Sequence, residues 1–219
     1  VEGMGDNQFK LLLLGGYGVG KSSLAIRWAT GEYVEGVNSM VEQTYEHLDR
    51  DGKRIVLTDP SRDGPPRYMD TLMYTHAGFL VVFSVRCAQS FAAARQMAKQ
   101  LILLKEKQNG GRIGIALVGT MADGQGAPRE VTEAEGTNLA VEMGLGCCYF
   151  EVSALMGGTD PATPHLPTTR RLHSEAVAAP IHHVVEQIDR LDAGALAALF
   201  KSSLVVADED DGDNGCLLS

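Results

Sequence analysis

Apolar residues in this chain come in short unbroken blocks separated by amphipathic stretches, the pattern of strands alternating with helices. FKLLLL at 9–14 is strand-like, GFLVVFSV at 78–85 is a continuous apolar run, as expected of a strand buried on both faces, and IGIALVG at 113–119 reads as another buried strand. CCYFEVS at 147–153 is read as the last strand. Between these blocks lie stretches at helical spacing. SLAIRWA follows the first strand, SFAAARQMAKQLILLKEK spans 90–107, and IHHVVEQIDRL at 181–191 is read as a closing helix. Thr132-Glu133-Ala134-Glu135 fits a capping box and predicts a helix running to about Met143. YEHLDRDGKRIVLT at 45–58 carries Asp51-Gly52 at its centre, a hairpin-turn signal. This alternation predicts the α/β class: a mostly parallel sheet of six strands with helices on both faces.

Two segments break the pattern. Residues 157–180 hold four of the eight prolines and are expected to form a surface insertion. The tail after Ser203 runs into Asp208-Glu209-Asp210-Asp211-Gly212-Asp213, a solvated acidic stretch. The expected layout is an N-terminal extension at 1–8, one domain at 9–200 interrupted by the insertion, and an acidic tail at 201–219. A chain of 219 residues suffices for one such core.

Charge and cysteine usage narrow the function classes. A net charge of −9 argues against non-specific nucleic-acid binding, which needs clustered Lys and Arg. No apolar run approaches the roughly 18 residues needed to span a bilayer. Cys87, the adjacent Cys147 and Cys148, and Cys216 form neither a disulfide framework nor a zinc spacing, which points to a reducing, cytosolic compartment.

The chemistry is concentrated just after the first strand. Gly15-Gly16-Tyr17-Gly18-Val19-Gly20-Lys21-Ser22 matches G-x-x-x-x-G-K-[ST] in full and lies between a strand and an amphipathic helix. Phosphates carry several negative charges and must be held without side-chain bulk. A glycine-rich loop lets backbone N–H groups from Gly16 through Ser23 point inward, and the following helix N-terminus adds partial positive charge. Lys21 supplies a point charge to the terminal phosphates, and the Ser22 hydroxyl is a candidate Mg²⁺ ligand.

With these residues in view, the chain resembles the Ras-like small GTPases. GGYGVGKSSL resembles their first motif, and GFLVVFSV with SFAAARQMAKQL resembles the strand and helix in the middle of the Ras domain. EVSAL resembles their guanine-contacting loop, and CLLS matches a Cys-a-a-X ending. The resemblance implies a P-loop NTPase fold of Ras type, GTP and GDP as ligands, and Mg²⁺ as cofactor. It also implies an exchange factor, an activating protein and effectors as partners of a monomeric signalling switch.

Several of the family's positions are altered. Its base-specificity motif Asn-Lys-x-Asp corresponds here to Thr120-Met121-Ala122-Asp123. Asp123 can accept hydrogen bonds from guanine's ring N–H and exocyclic amine, a donor pair that adenine lacks. Thr120 replaces part of the asparagine's bonding, and Met121 offers a flexible thioether to the base plane. Ser153 and Ala154 take the base-edge positions, with Leu155 in place of the usual lysine. Tyr33 stands where the family lays an aromatic across the base, with a tyrosine packed into the core as the alternative.

On the hydrolytic side, Met40 falls where the family has a Mg²⁺-binding threonine. A thioether is a poor ligand for a hard cation, and Ser39 beside it serves only if the loop shifts by one residue. The second switch reads Asp59-Pro60-Ser61-Arg62-Asp63-Gly64-Pro65-Pro66. Asp59 can match the metal-supporting aspartate, or Gly64 the phosphate-sensing glycine, but not both without a gap. Neither register leaves a glutamine to orient water. Tyr17 replaces a loop glycine, and two orientations are open. Its ring either obstructs the water and an incoming arginine finger, worth about 10³–10⁵ in rate, or swings outward over the phosphates. Obstruction is the expectation.

Cys216-Leu217-Leu218-Ser219 fits a farnesylated Cys-a-a-X box. One prenyl chain gives marginal attachment, and the acidic run upstream is repelled by an anionic leaflet. The expected location is the cytoplasm, with weak or partner-assisted attachment to the cytoplasmic face of a membrane. The expected activity is slow GTP hydrolysis, with Lys21 and Asp59 as the catalytic residues. A catalytically inactive pseudo-GTPase serving as an interaction module is the alternative. A nucleotide-dependent kinase is disfavoured, because its arginine-rich lid would have only Arg170 and Arg171 to draw on.

Overall fold

The computed structural model describes residues 8–37, 41–48, 52–61, 68–107, 113–124, 126–155 and 175–191. Its elements, in chain order, are β1 (Gln8–Leu14), α1 (Lys21–Thr30), β2 (Gln43–Leu48), β3 (Arg54–Asp59), α2 (Tyr68–Thr75), β4 (Gly78–Ser84), α3 (Ala88–Lys107), β5 (Gly114–Thr120), α4 (Glu133–Met143) and β6 (Cys148–Glu151). A last helix, α5, covers 175–191. Six strands form one sheet in the order β2-β3-β1-β4-β5-β6. The β2–β3 hairpin is antiparallel, with Tyr45 opposite Leu57, and the other pairings are parallel.

The strand alternation explains the unbroken leucine run. Successive side chains point to opposite faces, so a strand covered on both sides needs apolar residues at every position. Leu11 and Leu13 enter a core with Leu24 of α1 and Val184 and Ile188 of α5. Leu12 and Leu14 enter a second core with Met73 of α2, Ala98 and Leu101 of α3, and Leu139 of α4. All four leucines of β1 are 1% exposed or less. The fold is therefore the predicted α/β architecture, a mostly parallel sheet between two helical layers.

Local signals behave as their chemistry dictates. At the start of α4 the Thr132 amide donates to Glu135 Oε2 at 2.8 Å, and the Glu135 amide donates to Thr132 Oγ1 at 3.2 Å, completing the capping box. Two elements differ from expectation. α2 was not anticipated, because YMDTLMYT buries only Met73 fully and its apolar pattern is weak. α5 is already helical at 175, the first described residue there and six before the expected 181, so the end of the proline-rich stretch is helical. Pro180 reads as a breaker and as the sixth described residue of α5 it forgoes one backbone hydrogen bond, but Val177 ahead of it is 1% exposed, so packing holds the segment helical. Residues 157–174, residues 1–7 of the expected extension and the acidic tail lie outside the described residues, while Gln8, expected in the extension, opens β1.

A buried polar chain joins β3 to α2. His76 Nδ1 lies 2.7 Å from the Leu72 carbonyl, which only accepts, so Nδ1 carries the proton and Nε2 accepts from the Thr58 hydroxyl at 3.0 Å. Lys105 Nζ donates to the His76 carbonyl at 3.0 Å and lies 5.3 Å above the Phe79 ring. Burial lowers the His76 pKa; the Leu72 bond opposes this, and the charges of Lys10 and Lys105 add to it.

Two predictions arise from this packing. Ile181 is fully buried and His182 exposed, so Ile181→Ala should cost about 2–5 kcal/mol in urea unfolding, while His182→Ala should stay within about 0.5 kcal/mol. Equal effects would mean that α5 is not part of the core. A depressed folded pKa at His76 gives stability that is complete above the unfolded imidazole value. That stability is lost as the unfolded chain takes up its proton below about pH 6.5. Urea midpoints measured from pH 8 to pH 5.5 should fall more steeply for wild type than for His76→Gln.

Candidate functional site

The carboxyl ends of β1, β4, β5 and β6 converge on one edge of the sheet, and β1 has neighbours on both sides, β3 and β4, reached by opposite windings. In open α/β sheets a crevice forms at such a switch point. Here the crevice has two connected parts. One, about 350 Å³, is lined by Gly15, Tyr17, Gly18, Gly20, Lys21, Ser22, Ser23, Val37, Pro60, Ser61, Met69 and Met121. The other, about 210 Å³, is lined by Tyr33, Arg86, Thr120, Asp123, Ser153, Ala154 and Leu155, among others, and shares Gly20, Ser23 and Met121 with the first. The predicted phosphate-loop residues thus gather at one end of the cleft and the predicted base-contacting residues at the other.

At the first end, the loop after β1 lies against the neighbouring strand. A β-carbon at Gly15 would sit 2.3 Å from the Val82 carbonyl oxygen, so no other residue fits there. Val19 turns inward and is 3% exposed, anchoring the loop from below. Gly20 caps α1 without a side-chain hydrogen bond, which leaves the first amides of the helix for a ligand. Lys21 Nζ folds back onto the carbonyls of Gly15 at 3.1 Å and Gly16 at 2.9 Å. Burial lowers its pKa, and the nearby Asp59 carboxylate opposes that shift.

Asp59 ends β3 and is 3% exposed. Burial raises its pKa, against a hydrogen bond from Ser22 and the charge of Lys21. Its Oδ1 has no hydrogen-bond partner among the described residues. A buried carboxylate oxygen left over beside a serine hydroxyl and a lysine is a place for a hard cation, and it suits Mg²⁺. Among the described residues no group of three or more His, Cys, Asp or Glu could hold a metal ion. Asp59 lies beside Ser22, an arrangement that agrees with the register in which it matches the aspartate of the second switch. Ser39, Met40, Gly64 and Pro65 lie outside the described residues. Tyr17 stands at the cavity mouth with 72% of its surface exposed.

At the second end, the Thr120 hydroxyl sits between the carbonyls of Val19 and Phe83, the latter at 2.9 Å, and ties the phosphate loop to the end of β5. Its one proton serves one carbonyl at a time. Met121 takes a left-handed φ of 60°, and its sulfur accepts from the Ser84 hydroxyl at 3.2 Å. Ser153 donates to Asp123 Oδ2, and the backbone at Val152 closes the same loop, with the Ala122 amide donating to the Val152 carbonyl at 3.4 Å.

Sequence reasoning missed Arg86. It lies just past β4, donates through Nε to the Met121 carbonyl at 2.9 Å, and pairs through its guanidinium with Asp123 Oδ1. A charged residue at the carboxyl end of a buried strand, on the edge where the glycine loop also lies, was the available signal.

The model of the Ras family matches residues 10–159. Ras-like protein rasB of Dictyostelium discoideum is 33% identical over 153 residues, covering 68% of this chain and 75% of that protein. The match ends before α5, which the fold nevertheless packs against β1 and β4. With the phosphate loop, the sheet order and the family match in agreement, this chain belongs to the Ras family of small GTPases.

Proposed function

We propose that this chain is a guanine-nucleotide switch that binds GTP and GDP with Mg²⁺ and hydrolyses GTP slowly. The observation that carries the reading is the two-part cleft, with Lys21 and the loop amides at one end and Asp123 at the other. Lys21 leaves two loop carbonyls for the terminal phosphates and, with the amides of the loop and of α1, stabilises charge as the terminal phosphoryl group departs. Ser22 and Asp59 are the residues that would hold Mg²⁺, and Ser39 joins them only in the shifted register. The metal, when bound, neutralises phosphate charge. Asp123 selects guanine, Ser153 holds that carboxylate in place, and Tyr33, Met121, Ala154 and Leu155 enclose the base.

Slow turnover follows from what surrounds the terminal phosphate. With Asp59 as the aspartate, the next residues are Pro60, Ser61, Arg62 and Asp63, and no glutamine orients water. Tyr17 at the mouth narrows the approach of an activating arginine. Regulation by an exchange factor, an activating protein and effectors belongs to the same proposal, as does a signalling role at the cytoplasmic face of a membrane. We extend it to prenylation of Cys216, a residue outside the described ones, with weak attachment because the preceding run is acidic.

Single-turnover hydrolysis of bound GTP tests the enzyme reading. The expected rate is about 10⁻⁴ s⁻¹ or less, yet above that of free GTP. A rate equal to that of free GTP, unchanged by any activating protein, would leave an inactive interaction module. Lys21→Ala should weaken GTP binding at least about tenfold, as loss of charge-assisted bonds requires. Full affinity in that variant would remove the phosphate-loop assignment. Incubation with a labelled farnesyl donor should mark the wild-type chain and leave Cys216→Ser unlabelled; an unlabelled wild type beside a labelled known acceptor contradicts the anchor.

A further inference from the structure

The base end of the cleft contains a cation where a base-selecting carboxylate would be expected to face an open pocket. Asp123 is 4% exposed and Arg86 14% exposed, so the pair is largely shielded from water. Both carboxylate oxygens already hold donors, Oδ1 the Arg86 guanidinium and Oδ2 the Ser153 hydroxyl. Those are the two oxygens that guanine's ring N–H and exocyclic amine would use.

Arg86 is held in this position from three sides. Its Nε donates to the Met121 carbonyl at 2.9 Å, which fixes the plane of the guanidinium. Its backbone amide donates to the Ser84 hydroxyl at 3.2 Å, and that hydroxyl in turn donates to the Met121 sulfur. The loop leaves room for the guanidinium at Gly126, where a β-carbon would lie 2.8 Å from Nη1. The arginine therefore belongs to the pocket wall and is not a surface side chain lying across it.

We infer that Arg86 is an internal stand-in for the N–H edge of guanine: it satisfies Asp123 when the base is absent and competes with the base for the carboxylate. The inference rests on the guanine-nucleotide reading above and deepens it. A buried carboxylate without a partner is costly, so in a pocket lacking such a cation, loss of nucleotide would strand the charge. Arg86 removes most of that cost from the empty state. A group that stabilises the unliganded state lowers the apparent affinity for the ligand, and one that takes over the carboxylate as the base leaves also speeds release. Arg86 is thus a specificity and exchange determinant acting through Asp123.

The test uses the full chain loaded with a fluorescent GDP analogue in Mg²⁺ buffer, with release followed after adding excess unlabelled GDP. Arg86→Met keeps the apolar stem and removes every donor; Arg86→Ala replaces it if that variant does not fold. Release is expected to slow about tenfold, the effect of losing one charge-assisted competitor. Arg86→Lys, which leaves a cation beside Asp123, should restore release to near the wild-type rate. Arg95→Gln, which removes a surface cation paired with Glu142, should leave release unchanged. The difference in melting temperature between loaded and empty protein should widen in Arg86→Met, because only the empty form loses its counter-ion. Equal or faster release from Arg86→Met overturns the inference, since it would make Arg86 a support for base binding or a bystander. Failure of all these proteins, wild type included, to bind the GDP analogue overturns the guanine reading itself, and this inference with it.

Discussion

The passage from β1 into α1 is the constraint on which the rest of the structure depends. The loop runs so close to β4 that Gly15 leaves no space for a β-carbon against the Val82 carbonyl. The loop can be held there only because β1 is central and buried on both faces, with α1 and α5 on one side and α2, α3 and α4 on the other. Thr120 then fastens the loop to β5 through the Val19 carbonyl. A cradle of backbone amides needs this rigidity, since donors aimed in advance lose no energy to reorganisation when charge arrives.

The cleft so formed carries its own counter-charges at both ends. Lys21 and Asp59 lie close together at the phosphate end, where burial disfavours the charged form of each and their mutual attraction opposes it. Arg86 and Asp123 form a closer pair at the base end. In the proposed function one partner of each pair has a second use: Lys21 for phosphate, Asp123 for a base. Buried ion pairs contribute little net stability and cost much when broken. Their placement puts a buried counter-charge beside each position that the proposed nucleotide would use.

How much was legible in the sequence follows from which signals are local. The four consecutive leucines, the capping box at Thr132 and the glycine loop each encode their structure within a few residues, and each appears where the pattern placed it. α2 was missed because its apolar stripe is thin, and the start of α5 was misplaced because Pro180 masks a helix that tertiary packing supports. The gathering of Tyr33, Asp123, Ser153 and the loop at one cleft was legible through family resemblance. The Arg86–Asp123 pair was not: 37 residues separate its members, and only the parallel pairing of β4 with β5 brings their carboxyl ends together.

The central claim is that the cleft takes a guanine nucleotide. Its most direct measurement is equilibrium displacement of a fluorescent GDP analogue by GDP and by ADP, with Mg²⁺ present. A site built around Asp123 predicts displacement by GDP at concentrations at least about a hundredfold lower than by ADP, because adenine lacks the donor pair that carboxylate requires. Displacement at equal concentrations would contradict the account.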